Sequence, residues 1–249
     1  MPMAPSLRIS AKNLGGLALP GFCPRCFWLG LHYDLPFRGP FPGIFSSLDG
    51  FSKKVVHAHF DRFKKAPSWL SPLGNFTSYI PPPSSRTFYI DDKLTGVRLT
   101  GAPDAILVGG DGSKTIIDYK TGRHTAGQDQ LRPMYEVQLN GYALIADGVG
   151  LGPVTQIALV YTEPMTDGDA DFYAEARTEK GFRMGFRAKI APVALDLDSI
   201  QPLLRKARRI YDGREPPTGT KGCEDCANFN TLVSASQAWK RSVQGSNRR

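Results

Sequence analysis

Residues 101–122 read GAPDAILVGGDGSKTIIDYKTG, a stretch in which two apolar runs flank a turn of small and polar residues. The turn Gly109–Ser113 is rich in glycine. A turn of this composition between two apolar runs is typical of a β-hairpin with a loop of up to about five residues. The stretch therefore predicts two neighbouring antiparallel strands at the centre of the fold.

The hairpin places two carboxylates and one ammonium group on the same face of the sheet. If the turn is centred on Asp111, residues opposite one another have numbers that sum to 222, twice 111. Asp104 then lies opposite Asp118, with the two Cβ atoms about 5 Å apart. Lys120 shares the face of Asp118, because side chains two residues apart on a strand point the same way. The same sum pairs Ile106 with Ile116 and Val108 with Lys114.

These three charged groups predict a metal site. Opposed carboxylates repel one another unless a cation neutralises them, and carboxylate oxygens prefer hard ions such as Mg²⁺ or Mn²⁺. Such an ion polarises a phosphodiester and activates water, and Lys120 would orient or deprotonate that water or stabilise charge on the phosphate. The alternative is a solvated patch on a surface hairpin. The apolar run Thr115–Tyr119, which Asp118 interrupts, favours the site.

A helix predicted after the hairpin adds two polar residues on one face. Gln138 and Tyr142 are spaced i, i+4 and therefore point in the same direction. Gly141 lies between them, and a glycine inside a helix costs roughly 1 kcal/mol of helix stability. We interpret it as a position of close packing or of approach to a ligand. The alternative is that the two polar residues line a solvent face.

Periodicity outside the hairpin predicts a mixed α/β domain built on a small sheet. Upstream, apolar residues at helical spacing predict a helix from about Ile44 to Lys65, followed by a proline-rich loop at 66–86. Downstream, the patterns predict a helix at 133–147, a strand at 154–161, a strand pair at 171–189 around Gly181 and a basic helix at 199–211. We expect one domain over residues 1–230 and a basic tail over 231–249 that frays.

The charge of the chain favours a polyanionic partner. The sequence holds 31 basic and 23 acidic residues, for a net charge of +8 and a pI near 9.4. Nucleic acid is the commonest partner for such a surplus. No stretch approaches the roughly 20 consecutive apolar residues of a membrane span, and the first ten residues lack the pattern of a secretory signal. We therefore expect a cytoplasmic protein without a membrane partner.

The four cysteines form two CxxC pairs, Cys23 with Cys26 and Cys223 with Cys226. Two such pairs can complete a tetrahedral four-sulfur metal site, for which zinc is the usual ion. Disulfides and separate redox motifs are the weaker alternatives in a chain without a secretion signal. A shared site would join the two ends of the chain as a structural clip, so its binding energy would become folding energy.

Three motifs resemble the active site of RecB-like PD-(D/E)xK nucleases. They are GAPD at 101–104, IIDYKTG at 116–122 and QLNGY at 138–142. The resemblance implies a restriction-endonuclease-like core, in which a small mixed sheet is flanked by helices.

The same resemblance assigns roles to individual residues. It implies that Asp104 and Asp118 are ligands of Mg²⁺ or Mn²⁺, that the carbonyl of Tyr119 is a further ligand and that Lys120 is the catalytic lysine. Gln138 and Tyr142 are implied to contact the lysine or the DNA. Such nucleases usually add a histidine from an upstream helix. Of His57 and His59 only one can reach the metal, and His57 is preferred because an apolar residue follows it by three positions.

The cysteines resemble those of a branch of this family that includes CRISPR-associated exonucleases. That branch holds a [4Fe–4S] cluster between the chain ends, usually with one N-terminal and three C-terminal cysteines. The segments Cys23–Trp28 and Gly213–Pro217 are similar to its flanking sequences, but this chain has a two-plus-two layout. The resemblance tips the expectation slightly towards iron–sulfur, while the layout alone favours zinc.

These patterns together predict a DNA nuclease, and the resemblance alone implies that it acts on single strands or DNA ends. The basic helix at 199–211 and the aromatic residues Phe27, Trp28 and Trp69 are candidates for contacts with the strand, or else belong to the core. The alternatives are an RNA nuclease and a non-catalytic nucleic-acid-binding scaffold. The intact Asp104, Asp118 and Lys120 argue against the scaffold. Protein partners are expected in DNA processing, repair or CRISPR adaptation.

Overall fold

The computed structural model of the protein describes residues 7–33, 42–125 and 130–246, the last six without their side chains. The chain forms two compact units. Unit 1 comprises residues 1–19 and 40–205, and unit 2 comprises residues 20–39 and 206–249. A single domain over residues 1–230 stays a prediction.

The helices, in chain order, are α1 (Ala11–Gly15), α2 (Pro24–His32), α3 (Gly43–Phe63), α4 (Arg132–Gly148), α5 (Ala170–Ala176), α6 (Ile200–Tyr211) and α7 (Glu224–Ser246). The strands are β1 (Leu7–Ser10), β2 (Phe76–Ile80), β3 (Tyr89–Asp92), β4 (Val97–Thr100), β5 (Ala105–Gly109), β6 (Lys114–Thr121), β7 (Val154–Pro164), β8 (Arg177–Thr178), β9 (Gly181–Phe182) and β10 (Phe186–Val193). Short 3₁₀ turns lie at Gly16–Ala18, Ser68–Leu73 and Leu197–Ser199.

The central sheet of unit 1 has five strands in the order β10–β7–β6–β5–β2. Strands β6 and β7 are parallel, and the other neighbouring pairs are antiparallel. A parallel pair needs a crossover connection, and α4 provides it. A smaller sheet has the order β1–β4–β3, and β8 pairs with β9. The mixed sheet flanked by helices confirms the predicted fold class.

The hairpin β5–β6 has the predicted register. Ile106 pairs with Ile116 and Val108 with Lys114, so the pair numbers sum to 222. The turn closes through a bond from the Gly109 N–H to the Ser113 carbonyl at 2.9 Å. The Asp111 carboxylate accepts from the Ser113 N–H and hydroxyl, a side-chain turn that aspartate favours.

The two faces of β6 have different neighbours. Ile117 and Tyr119 belong to a buried apolar cluster that includes Val56 and Phe60 of α3. Because side chains alternate along a strand, Asp118 and its even-numbered neighbours point to the opposite face, towards α4. Helix α3 and helix α4 therefore cover opposite sides of the strand that carries the charged motif.

Close packing explains the glycine inside α4. A Cβ atom at Gly141 would lie 2.8 Å from the Cβ atom of Ala11, which is nearer than such atoms approach one another. Gly15 of α1 is equally restricted, since its Cβ would lie 2.3 Å from the carbonyl oxygen of Met134. The interpretation of Gly141 as a position of close packing is confirmed, and the neighbour is α1.

Most of the predicted elements are present, and two predictions before residue 190 need correction. The helices at 44–65, 133–147 and 199–211 correspond to α3, α4 and α6, and the strand at 154–161 is β7. The loop at 66–86 contains β2, which pairs on one side only with β5 and lies between Pro72 and Pro81. The predicted strand pair at 171–189 begins with α5, because the Asp169 carboxylate caps this helix by accepting from the Phe172 N–H.

Unit 2 brings together segments from both ends of the chain. The indole of Trp28 in α2 is buried and donates to the Gly213 carbonyl at 2.8 Å. The ring of His32 stacks on Trp28 on one side and on Tyr211 on the other. Trp28 is therefore a packing residue, the second of the two alternatives stated for it.

The C-terminal segment is helical where the sequence predicted no regular element. Helix α7 continues from Glu224 to Ser246, so the described part of the predicted basic tail is helical, and its fraying stays a prediction. Residues 247–249 lie outside the described residues. Within the described part of the chain, no helix combines the length and the apolar character that a membrane crossing requires.

Candidate functional site

Asp118 and Lys120 lie together on the α4 face of β6. The Asp118 side chain is 5% exposed and the Lys120 side chain 17%, and the Lys120 ammonium group forms an ion pair with the Asp118 carboxylate. The other oxygen of Asp118 accepts from the Gln138 amide at 3.1 Å. A carboxylate this deeply buried needs a paired charge and hydrogen bonds; Lys120 supplies the charge and Gln138 a hydrogen bond.

Asp104 lies immediately before β5, close to the same strand. Its Oδ2 atom accepts from the backbone N–H of Tyr119 at 2.8 Å. Its Oδ1 atom is 2.7 Å from the ammonium nitrogen of Lys53. The backbone contact fixes Asp104 against the strand that carries Asp118 and Lys120.

Lys53 and Asp49 are members of the site that the sequence analysis missed. They lie one turn apart on α3, and the Lys53 ammonium group is 2.7 Å from a carboxylate oxygen of Asp49 as well as from Asp104. Burial lowers the pKa of Lys53, but the hydrogen bonds with Asp104 and Asp49 outweigh this effect and raise it. Lys53 is therefore charged at neutral pH and compensates Asp104.

The two central carboxylates interact electrostatically. Burial and the negative charge of Asp118 raise the pKa of Asp104 to about 6, although Lys53 opposes the rise. A carboxyl group with this pKa binds a proton readily near neutrality. A divalent cation placed between the two carboxylates would remove the repulsion that raises the pKa.

Gln138 and Tyr142 form a buried support for Asp118. The Gln138 amide donates to the Asp118 carboxylate and, at 2.7 Å, to the Tyr142 hydroxyl. Both side chains are buried. The resemblance placed them on the lysine or the DNA, whereas in the structure Gln138 contacts the carboxylate. Gly101 makes room for Tyr142, since a Cβ atom there would lie 2.6 Å from the Tyr142 ring.

Tyr135 is a third residue that the sequence analysis missed. The ammonium nitrogen of Lys120 lies 4.0 Å from the centroid of the Tyr135 ring, a cation–π contact. Tyr135 is one turn before Gln138 on α4, so its i, i+3 spacing was the available signal. The Asp118 carboxylate and this ring together fix the position of the Lys120 head group.

The structure does not bring His57 to the carboxylates. The His57 ring stacks on Tyr79, with the centroids 4.1 Å apart, and burial lowers its pKa, with Asp61 and Lys53 as its charged neighbours. His59 packs against Phe63 instead. Lys53, one turn before His57, is the α3 residue that reaches Asp104. A metal-binding role for His57 stays a prediction.

Comparison with known families agrees with this arrangement. The profile of the PD-(D/E)XK nuclease superfamily matches residues 53–228, which is more than half of the chain. The chain belongs to the PD-(D/E)XK nuclease superfamily. The matched region contains Lys53, the hairpin, α4 and the second cysteine pair.

Two other comparisons add little to the superfamily assignment. No curated protein sequence matches the chain significantly. The crystal structure of SSO0001 is similar over 84% of this chain and 80% of that one, at 15% identity and a TM-score of 0.45.

The carboxylate site has the donor chemistry that a PD-(D/E)XK metal ion requires. Asp104 and Asp118 offer oxygen atoms, the ligand type that Mg²⁺ and Mn²⁺ prefer. In the structure the ammonium groups of Lys53 and Lys120 neutralise these oxygens. Members of the superfamily use divalent metals, and the residues present fit one.

A second cluster lies in unit 2 and consists of the four cysteines. The four Sγ atoms all lie within 4.8 Å of one another. Cys226 is 3.6 Å from Cys23 and 3.4 Å from Cys26, and Cys26 is 3.6 Å from Cys223. None of the four forms a disulfide. The structure confirms that the two pairs converge and join the N-terminal and C-terminal segments.

The cysteine thiols differ in their proton affinity. Burial alone raises the pKa of Cys23, but the backbone N–H groups of Cys26 and Thr220 outweigh it and lower the pKa to about 6. Burial and the neighbouring sulfurs raise the pKa of Cys26, and burial raises that of Cys226. One thiolate therefore forms readily, and a bound cation would favour loss of the remaining protons.

Proposed function

We propose that the protein is a nuclease that hydrolyses DNA phosphodiester bonds with Mg²⁺ or Mn²⁺ at Asp104 and Asp118. The observation that carries the proposal is the buried group formed by Asp118, Lys120 and Gln138, with Asp104 anchored beside it. Hydrolysis of a phosphodiester needs positive charge beside the phosphate and an activated water. Carboxylates that hold a cation, next to a lysine of fixed orientation, supply both.

Each residue has a defined task in this proposal. Asp104 and Asp118 would hold the ion, with the Tyr119 carbonyl as a further ligand. An ion held there would supply the positive charge that polarises a phosphate and activates water. Lys120 orients the attacking water or stabilises the charge that develops on the phosphate. Gln138 holds Asp118 in position through a hydrogen bond and is itself bonded to Tyr142, so neither residue needs to touch the substrate.

A cleavage assay tests the proposal directly. The protein is freed of metal with a chelator and incubated with single-stranded DNA, duplex DNA and RNA of matched sequence. We expect no cleavage without metal, cleavage of DNA on addition of Mg²⁺ or Mn²⁺, and weak or no cleavage with Ca²⁺, whose larger and less rigid coordination positions water poorly. Cleavage of RNA alone would contradict the assignment to DNA. No cleavage of any of the three with any ion would contradict the nuclease function.

The pKa of Asp104 predicts how the need for metal changes with pH. Because protons and the metal ion compete for Asp104, whose pKa is about 6, the Mg²⁺ concentration for half-maximal rate should stay nearly constant above pH 7. Below pH 6 it should rise by up to about tenfold for each unit of pH. Saturating Mg²⁺ should then move the midpoint of the pH profile to lower pH. Rates measured over a grid of pH and Mg²⁺ check this, and a requirement independent of pH contradicts it.

The raised pKa of Asp104 also affects the stability of the metal-free protein, which should increase at low pH. The folded-state pKa of Asp104 lies above its ordinary value of 3.8, so the folded protein binds this proton more tightly than the unfolded chain does. The contribution of Asp104 to the free energy of unfolding therefore increases as the pH falls through about 6 and is complete below about 4. Mg²⁺ should reduce this gain, because it favours the ionised carboxylate.

We propose zinc for the cysteine site. With a Zn–S distance of about 2.3 Å, the sulfurs of a tetrahedral site lie about 3.8 Å apart, close to the 3.4–3.6 Å contacts of Cys226 and Cys26. The cysteines of a [4Fe–4S] cluster each bind a different iron and are held apart by the whole width of the cluster. The four sulfurs lie within 4.8 Å of one another, and this close spacing supports zinc. Metal analysis of protein purified without oxygen should find one zinc per chain and no brown colour.

A further inference from the structure

Helix α3 directs a lysine and an aspartate at the carboxylate site. Four of its residues share one face because they follow one another at spacings of three or four positions: Asp49, Lys53, Val56 and Phe60. Val56 and Phe60 are buried in the apolar cluster that lies against the central sheet. Their burial fixes the rotation of α3 about its axis, and this rotation points Lys53 and Asp49 towards Asp104.

The ammonium group of Lys53 occupies a cation position between two carboxylates. Its nitrogen lies 2.7 Å from Oδ1 of Asp104 and 2.7 Å from Oδ2 of Asp49. Carboxylate oxygens bind Ca²⁺ at about 2.3–2.6 Å and Mg²⁺ at about 2.0–2.1 Å. The two oxygens therefore surround the nitrogen much as they would surround a metal ion. The Lys53 side chain is 24% exposed and that of Asp104 16%, so solvent screens the contact only in part.

Asp104 has room for a metal ion while Lys53 stays in place. A carboxylate offers about four lone-pair positions, and the Tyr119 N–H and the Lys53 ammonium group use two of them. Asp104 lies one residue outside the β5–β6 ladder, which ends with the pair of Ala105 and Ile117. Its carboxylate is near enough to Asp118 for the two charges to interact. Asp104 can therefore share one cation with Asp118 and another with Asp49.

The formal charges of the site suit one divalent ion. The site holds three carboxylates and two ammonium groups, which leave a net charge of −1: Asp49, Asp104, Asp118, Lys53 and Lys120. One divalent ion changes this charge to +1, which is opposite to the single negative charge of a phosphodiester. Without Lys53 the same ion would leave the site neutral, and a second ion would be needed to attract the phosphate.

We propose that Lys53 is a built-in cation that takes the place of a second metal ion, so that the site works with a single Mg²⁺ or Mn²⁺. The inference rests on the proposed nuclease function and specifies how its site is charged. Sites with two metal ions hold them about 3.5–4 Å apart. In this chain Asp104 is the shared carboxylate, with the metal ion on its Asp118 side and the ammonium group on its Asp49 side. Lys53 acts through the two carboxylates and is a positioning residue.

The number of bound Mn²⁺ ions tests the inference without a cleavage assay. Zinc is added first to fill the cysteine site, and the electron paramagnetic resonance signal of free Mn²⁺ then gives the number of ions bound per chain. We expect one ion for the parent and two for Lys53→Ala, because the two carboxylates that lose the ammonium group can bind a further ion. Lys53→Arg keeps the charge and should bind one. Lys54→Ala is the matched control on the same helix, since Lys54 is exposed, and should also bind one.

A double variant identifies the ligands of the extra ion. Asp49→Asn combined with Lys53→Ala removes one of the two carboxylates and should weaken binding of the second ion about tenfold or more, because affinity follows the number of charged ligands. Lys53→Gln keeps most of the side chain, should also bind two ions, and replaces Lys53→Ala if circular dichroism shows that the alanine variant is unfolded.

Two results would overturn the role of Lys53. One is a parent that binds two ions at the carboxylates. The other is a single ion in both Lys53→Ala and Lys53→Gln. If that single ion binds more tightly than in the parent, Lys53 competes with the metal instead of complementing it.

Failure of the nuclease proposal would give a different result. If Asp118→Asn leaves Mn²⁺ binding unchanged, the proposed metal site is wrong, whereas an Asp49-dependent ion gained on loss of Lys53 still supports the cation position. If the protein cleaves DNA, the dependence of the rate on Mg²⁺ should have a Hill coefficient of about 1 in the parent and above 1 in Lys53→Ala, since the coefficient is limited by the number of sites. A coefficient near 2 in the parent would contradict the inference and leave the nuclease function intact.

Discussion

Replacing Asp118 by Asn should reduce the rate of metal-dependent DNA cleavage by about 10³-fold or more. Asn keeps the shape of the side chain but removes the negative charge that would hold the cation. Loss of a metal ligand costs several kcal/mol of transition-state stabilisation, and each 1.36 kcal/mol is a factor of ten in rate. The charge also pairs with Lys120, so the variant loses the contact that fixes the orientation of the lysine.

The matched control for this variant is Asp111→Asn. Asp111 belongs to the same hairpin but lies at its exposed turn, where its carboxylate accepts from the Ser113 N–H and hydroxyl. The same chemical change at that position should leave the rate close to that of the parent. Single-turnover rates at saturating Mg²⁺ compare the two variants, and circular dichroism checks that both are folded. An Asp118→Asn protein as fast as the Asp111→Asn protein would show that the site is elsewhere.

Replacing Cys226 by Ser should destabilise unit 2 by several kcal/mol. Cys226 lies within 3.6 Å of both Cys23 and Cys26, so its loss opens the only four-cysteine cluster among the described residues. Zinc binding by comparable sites contributes about 10–16 kcal/mol of apparent binding free energy, much of which becomes folding free energy. Hydrogen exchange should show faster exchange in α2 and α7, and a strong chelator should have the same effect on the parent.

Asn228→Ser is the control for the cysteine variant. Asn228 is exposed on α7, two residues beyond Cys226, so the substitution introduces the same residue without changing the cluster. Exchange in α2 and α7 should then match that of the parent. If Cys226→Ser also exchanges like the parent, the cysteines do not hold a stabilising ion.

The hairpin could be predicted from the sequence because residues close together in the chain determine its structure. A glycine-rich turn of fixed length sets the register, and the alternation of strand residues sets which side chains share a face. The positions of Asp118 and Lys120 followed from this arithmetic. Gly141 was informative for a similar reason, since a helix tolerates glycine at a cost that close packing against Ala11 offsets.

The contribution of α3 could not be predicted in the same way. Periodicity identified the helix but not the rotation that turns Lys53 and Asp49 towards Asp104, which depends on how α3 packs on the sheet. A histidine ligand was expected from this helix by resemblance; His57 stacks on Tyr79, and its role as a ligand stays a prediction. The helix α7 was missed because its apolar residues do not follow a core pattern. The helix α5 was missed because the Asp169 cap favours a helix over the strand that the alternation of the following residues predicts.

The layout of the cysteines also sets an order of events during synthesis. Cys23 and Cys226 are 203 positions apart, so the first cysteine pair leaves the ribosome long before the second exists. At typical rates of synthesis this interval is roughly 10–40 s. The hairpin and α4 are synthesised within that time, whereas the N-terminal thiols have to stay reduced until the second cysteine pair is made. The newly made chain is therefore most sensitive to oxidants and to competing metals before its last helix emerges.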